Sequence, residues 1–297
     1  MNDSKVQEIL VAHGLDFNID KVMTGADYKG EQHALPYYAL FNSKTGLPIH
    51  SVKKGYTVSQ TSEIVEMVLS GVDKFGTDLK ITNAGALNGG RKVYFQLAIN
   101  GMSQVGNDKI TRYVTIIDSN DGSTGLSVGI SDEVMHCNNQ FFKFYAKGNQ
   151  RFRHNYAIKE KIKKIPELIE TALEESLKQI VIYNKFISSP VSRGLADKLV
   201  LEILGHDRVI TSPEEYAKLG KRSLDIMDTL YENIETEYAA VGENIWGLFN
   251  GVTRFTTHEI SKPKRENGFI ESMAAGGGYQ KNMNGFKFAL KEAGILS

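Results

Sequence analysis

Apolar and polar positions alternate with one period in the first half of the chain and with another in the second, and the change falls near residue 157. Val6, Ile9 and Leu10 at helical spacing, followed by Gly14, predict a short helix over 4–13. Residues 37–41 and 48–58 read as strands joined by the turn Lys44-Thr45-Gly46. Thr61 or Ser62 then caps a helix whose apolar stripe is Ile64, Val65, Val68, Leu69 and Val72, and Gly76 ends it. Residues 79–84, 92–100, 111–118 and 125–130 alternate with period two. In the third run Arg112, Val114 and Ile116 take one face, and Tyr113, Thr115 and Ile117 the other. The connectors Asn88-Gly89-Gly90 and Asn120-Asp121-Gly122 suit hairpin turns that need positive φ.

Beyond residue 157 the pattern is helical. Residues 158–187 form one long helix or two broken near Pro166, since proline is tolerated only in a first turn. Ser192 caps 194–204, Ser212-Pro213-Glu214-Glu215 starts a helix running to about Tyr238, and 243–257 is another. A flexible joint at 274–278 precedes a last helix over 286–293. The expected fold is α+β: an N-terminal antiparallel β-meander with an inserted helix, then a helical C-terminal half. The expected regions are a β-rich core over 1–156 and a helical region over 157–297 that packs on it as one unit.

Composition narrows the setting. An apolar fraction of 41% suffices for a sizeable core, and no apolar run is long enough to span a bilayer. The opening MNDSKVQEIL lacks the pattern of a secretory leader, and the single cysteine, Cys137, has no internal disulfide partner, so a cytoplasmic location is expected. Net charge is zero but unevenly spread: residues 143–164 carry +7 and residues 195–245 carry −6.

The motif-like segments fail on detail. Gly85-Ala86-Leu87-Asn88-Gly89-Gly90-Arg91-Lys92 suggests a phosphate loop, but Arg91 stands where lysine belongs and a strand follows instead of a helix. In Asp118-Ser119-Asn120-Asp121-Gly122 a glycine occupies a calcium-ligand position. His136 and Cys137 are adjacent, so in extended chain they point apart and do not share a metal. With no hydrolase or dinucleotide signature, no catalytic residue, metal ligand or cofactor is assigned.

Residues 141–164 stand out by interleaving rings and cations, the two elements that hold single-stranded nucleic acid. Arg91, Lys92, Lys143, Lys147, Arg151, Arg153 and Lys159 are the expected backbone contacts, and Phe142, Tyr145 and Phe152 the expected stacking rings. The same pattern also describes buried core aromatics beside a solvated helix face.

Several stretches carry a resemblance: SVKKGYTVSQ over 51–60, GALNGGRKVYF, YVTIIDSNDGS, VMHCNNQ, RFRHN and NIWGLFNGVTRFTTH. In order and spacing, from about Leu47 to His258, they resemble the phage- and plasmid-like family called domain of unknown function 932. This chain departs from the family's usual pattern at Asn120, where histidine is usual, and at Asn139, where threonine is usual. The resemblance implies a protein of mobile elements with a role in DNA recombination or replication. Together these readings give the expectation of a non-enzymatic, homo-oligomeric protein that binds single-stranded DNA and anneals complements. The alternatives are a hydrolase or nucleotide-modifying enzyme using the Asp118–Asp121 turn and His136-Cys137, and a structural or host-interaction protein.

Overall fold

The computed structural model describes residues 3–135, 138–144, 151–192, 194–205, 219–260 and 268–296. The chain is α+β, with antiparallel sheets and one inserted helix in its N-terminal half and helices in its C-terminal half. It divides into two compact units that are interleaved rather than consecutive. Unit 1 takes 1–100, 113–130 and 144–175; unit 2 takes 101–112, 131–143 and 176–297. The sequence boundary expected at 156/157 thus lies inside unit 1.

Unit 1 opens with α1 (Asp3–Ala12) and a three-stranded antiparallel sheet of β1 (Ile19–Tyr28), β2 (Glu31–Asn42) and β3 (Pro48–Lys53). Helix α2 (Thr61–Phe75) buries Ile64, Val65, Val68 and Leu69 of the stripe read from the sequence and leaves Val72 partly buried. Its cap is Gln60, one residue before the expected Thr61. The Gln60 N–H donates to the Glu63 carboxylate at 2.9 Å, and the Gln60 amide side chain bonds both backbone groups of Ile19. A second sheet follows, with β4 (Leu79–Leu87) beside β5 (Lys92–Ile99), then strand 108–119, strand 126–134 and the short strand 151–152. In the pairing of β5 with strand 108–119, Phe95 lies opposite Ile116 and Leu97 opposite Val114. All four side chains join the unit 1 core. The turn glycines Gly89 and Gly122 adopt φ +72°, as their connectors require.

The remaining strands are β6 (Ser103–Val105), β7 (Asp108–Ser119), β8 (Leu126–Val134), β9 (Asn139–Phe144) and β10 (Arg151–Phe152). Strands β6 and β7 pair over Ser103–Ile110, within unit 2. Pro166 falls in the first turn of a new helix, so the long helical run splits into α3 (Ile158–Ile162) and α4 (Ile165–Ile187). Unit 2 also contains α5 (Leu195–Leu204), α6 (Lys221–Val241), α7 (Ile245–Arg254), a π-helical turn (Phe255–Ile260), α8 (Gly268–Ala275) and α9 (Gly277–Glu292). The N-cap of α5 is Gly194 rather than Ser192, and the joint expected at 274–278 is largely helical. The helix start expected at 212–215 lies outside the described residues. Unit 2 has its own core, in which Phe141 meets Phe249 and Phe286, each at 5.1 Å between ring centroids. No helix among the described residues is long and apolar enough to cross a membrane.

Candidate functional site

Within unit 1, three connecting segments converge: the loop 54–60 between β3 and α2, the turn 119–125 between β7 and β8, and the segment 153–157 between β10 and α3. Asp118 and His154 lie at the centre, both nearly inaccessible to solvent. His154 Nε2 stands 2.7 Å from Asp118 Oδ1, and Nδ1 faces the Thr57 carbonyl at 3.2 Å. With an acceptor opposite each ring nitrogen, the doubly protonated imidazolium satisfies both contacts. Burial acts to lower the His154 pKa, but the Asp118 charge and the hydrogen bonds to Asp118 and Thr57 outweigh it and leave the ring above its ordinary value. The Thr57 N–H donates back to the His154 carbonyl at 3.2 Å, clamping loop and segment together.

The Tyr56 ring stacks on this imidazole, with centroids 4.8 Å apart and planes 5° from parallel. Its hydroxyl donates to the Ser119 carbonyl at 3.4 Å. Burial, reinforced by the Asp118 and Asp121 charges, pushes the phenol pKa upward, so Tyr56 stays neutral. The turn beside it is internally braced. Ser119 Oγ accepts from the N–H groups of Thr124 (3.0 Å) and Gly125 (2.8 Å), and Asp121 Oδ1 accepts from the Ser123 N–H at 3.0 Å. Gly125 adopts φ +69°, and a β-carbon there would stand 2.4 Å from the Phe152 carbonyl oxygen, so the approach of β10 requires glycine. Between these parts lies a cavity of about 640 Å³, lined by Tyr56, the 122–125 turn, Arg153 and His154.

The cluster does not form a nucleophile. The Ser59 hydroxyl donates to Asp118 Oδ2 at 2.7 Å, stands 3.4 Å from His154 Nδ1, and is buried. The base is already paired and the hydroxyl proton is committed to the carboxylate, whereas an activated serine needs its proton on the imidazole. No group of three or more histidine, cysteine or acidic side chains among the described residues is placed to hold a metal ion. What the lining does offer is the exposed cationic residue Arg153 and the aromatic residue Tyr56; the Ser123 side chain is engaged by Asp121 and the Thr124 hydroxyl oxygen is buried. That combination suits a phosphate attached to a flat ring.

Among the described residues of unit 1, the candidates singled out from the sequence take different roles. Arg153 lines the cavity, and exposed Arg91 sits beside its turn, its carbonyl accepting from the Asn120 N–H at 2.7 Å. Lys92 is a correction: it is 4% exposed, and its ammonium is paired with Asp121 at 3.3 Å, so it braces the turn rather than meeting a polyanion. Lys159 is ion-paired with Glu63 and remains half-exposed. Lys143 belongs to unit 2, where its ammonium donates to Gln179 at 2.8 Å and lies over the Phe286 ring. Two of the three expected stacking rings are also corrected. Phe142 is fully buried, and Phe152 is buried in the unit 1 core. Tyr145, Lys147, His136 and Cys137 lie outside the described residues, as does the Arg151 side chain.

The structure instead brings forward Tyr56 and Tyr156. Tyr156 is 90% exposed, three residues after Arg153, on a turn where Asn155 Oδ1 accepts from the Ala157 N–H at 3.0 Å. The sequence signals for this site are the cationic run, which holds Arg153, His154 and Tyr156, and the family-like stretches, which add its other parts. SVKKGYTVSQ supplies Tyr56, Thr57 and Ser59; YVTIIDSNDGS supplies Asp118 and the turn; and RFRHN supplies Arg153 and His154.

Residues 48–275 match the family model for Domain of unknown function (DUF932), and the chain belongs to that family. No curated protein and no solved structure matches it.

Proposed function

We propose that this member of the DUF932 family binds single-stranded nucleic acid through unit 1, with Arg153 on the sugar-phosphate backbone and Tyr56 and Tyr156 against bases. The observation that carries this reading is the cavity, whose lining brings the exposed Arg153 and the ring of Tyr56, stacked on His154, to one concavity. Single strands are held by cations along the backbone and rings beneath the bases, each stacked base contributing about 1–3 kcal/mol. Arg91 extends the cationic surface, and the work is binding and strand annealing rather than bond cleavage. The setting we propose is the host cytoplasm, in recombination or replication of the phages and plasmids that encode it.

A homo-oligomer is part of the same proposal. Asp225, Asp228, Glu232 and Glu235 are exposed on α6 at spacings that place them along one helix face. Such an acidic stripe complements the basic surface of unit 1 in a neighbouring copy, a head-to-tail arrangement. The test is fluorescence anisotropy with a labelled single-stranded oligonucleotide at several salt concentrations, paired with light-scattering mass. Binding that weakens steeply with salt, and weakens further in Arg153→Ala, supports the reading. An oligonucleotide that stays free at low salt sinks it.

A further inference from the structure

We infer that the cavity beside Tyr56 and Arg153 seats one whole nucleotide, so that a free nucleoside 5′-monophosphate occupies it without the rest of a strand. The inference rests on the nucleic-acid reading of the same site and gives it a unit of recognition.

Three observations carry it. The first is size: about 640 Å³ falls within the range of small-molecule sites, about 300–1,000 Å³, and far exceeds what a bare phosphate fills. The second is the division of chemistry along the lining. Arg153 suits phosphate oxygens, and Tyr56 supplies ring surface suited to a base. Gly122 adds no side chain to the lining, and a β-carbon there would meet nothing within 4 Å. The third is preorganisation. Tyr56 is held by its stack on His154 and its bond to Ser119, and the turn is braced by Ser119, Asp121 and Lys92. Little ordering is then left for a ligand to impose. The charge balance agrees with an anionic ligand: Asp118 is matched by the His154 imidazolium and Asp121 by Lys92, while Arg153 presents its guanidinium at the cavity.

The experiment is isothermal titration calorimetry on the full chain with a deoxynucleoside 5′-monophosphate, the corresponding nucleoside and inorganic phosphate. A single-stranded oligonucleotide is titrated in parallel. The monophosphate is expected to bind at least about tenfold more tightly than the nucleoside or phosphate alone. Arg153→Ala should weaken it about tenfold or more, the usual effect of losing a charge-assisted hydrogen bond. Tyr56→Phe keeps the ring and should retain binding, whereas Tyr56→Ala should lose it. Arg153 is exposed, so its variant should melt at the wild-type temperature. If the oligonucleotide binds and the monophosphate does not, the single-nucleotide inference is overturned and the strand-binding reading stands. If inorganic phosphate binds as tightly as the monophosphate, the inference is likewise overturned. If the monophosphate binds and the oligonucleotide does not, the inference stands and the strand-binding reading falls.

Discussion

The two units hold several of their carboxylates with different donors. In unit 1, Asp118 meets the His154 imidazolium at 2.7 Å and Asp121 meets the Lys92 ammonium at 3.3 Å, so each buried negative charge has a positive partner in contact. In unit 2, neutral donors reach three carboxylates, one of which, Glu237, also has a cation in contact. Asp132 accepts from the Tyr183 hydroxyl at 2.7 Å, and Asp108 accepts from the Trp246 indole N–H at 2.7 Å. Asn139 donates to Glu237 at 3.0 Å, with Arg254 at a longer 3.4 Å. The consequence shows at Asp132. Burial pushes its carboxyl up to about 6, although the Tyr183 bond and the charges of Arg112 and Lys143 pull the other way. Neutral donors can fix strand to helix in a core, as Tyr183 and Trp246 do. Matched ion pairs beside a cavity hold an array of charge in place where a charged ligand can meet it. The candidate site is assigned to unit 1 because the cavity and the segments that converge on it lie there.

The largest expected effect comes from breaking the unit 1 pairing. Asp118→Ala leaves a buried imidazolium without its counter-charge and should lower unfolding free energy by about 3–5 kcal/mol, measured by chemical denaturation. Because the folded His154 pKa is raised, its stabilisation is complete below the ordinary histidine value and is lost as pH rises through the folded value. The cost of Asp118→Ala should therefore be greater at pH 6 than at pH 8. Equal costs at the two values would mean that His154 is not the charged partner.

Asp132 sharpens the comparison from the other side. Its folded pKa is raised, so its contribution is fully present below about 4, the unfolded value, and is lost as pH rises through about 6. At about 1.4 kcal/mol for each pH unit of displacement, the loss is on the order of 2–3 kcal/mol. Carboxyl carbon NMR should place its titration near 6, and Asp132→Asn should remove this pH dependence. A midpoint near 4 would show that burial leaves this carboxyl at its ordinary value.

A smaller effect is expected at Gly125. Alanine there combines an unfavourable positive φ with a β-carbon 2.4 Å from the Phe152 carbonyl oxygen, so Gly125→Ala should cost about 1–3 kcal/mol in thermal or chemical unfolding. Wild-type stability would show that β10 can withdraw without penalty. The smallest stability change belongs to Arg153→Ala, within about 0.5 kcal/mol for an exposed side chain.

Much of the fold is legible in the sequence because its signals are local. Alternation over 92–100 and 111–118 yields β5 and β7, the stripe from Ile64 to Leu69 yields α2, and Pro166 marks the helix break. Strand β1 escapes notice because its hairpin is solvated on both faces: Val22, Met23 and Tyr28 are all exposed, so no clean alternation survives. The interleaved units escape for a different reason, since periodicity reports which face a residue takes but not which core it joins. The candidate site depends on distance along the chain. Asp118 and His154 are 36 residues apart, and Ser59 and His154 are 95 apart. Composition also misplaces the stacking rings. Phe142 and Phe152 sit among cations as exposed rings would, yet both are buried, because an aromatic run beside lysines satisfies a core as readily as a binding surface. Tyr156, in the same run, is the ring left open.

The central claim is that the exposed guanidinium and rings of unit 1 engage a nucleic-acid strand, and the most direct measurement is oligonucleotide affinity against salt for the wild type and for Arg153→Ala with Tyr156→Ala. Wild-type affinity should fall steeply with salt, and the double variant, with its stability intact, should bind about tenfold or more weakly with a shallower salt slope. A folded double variant with the same affinity and the same salt slope as the wild type would contradict the account.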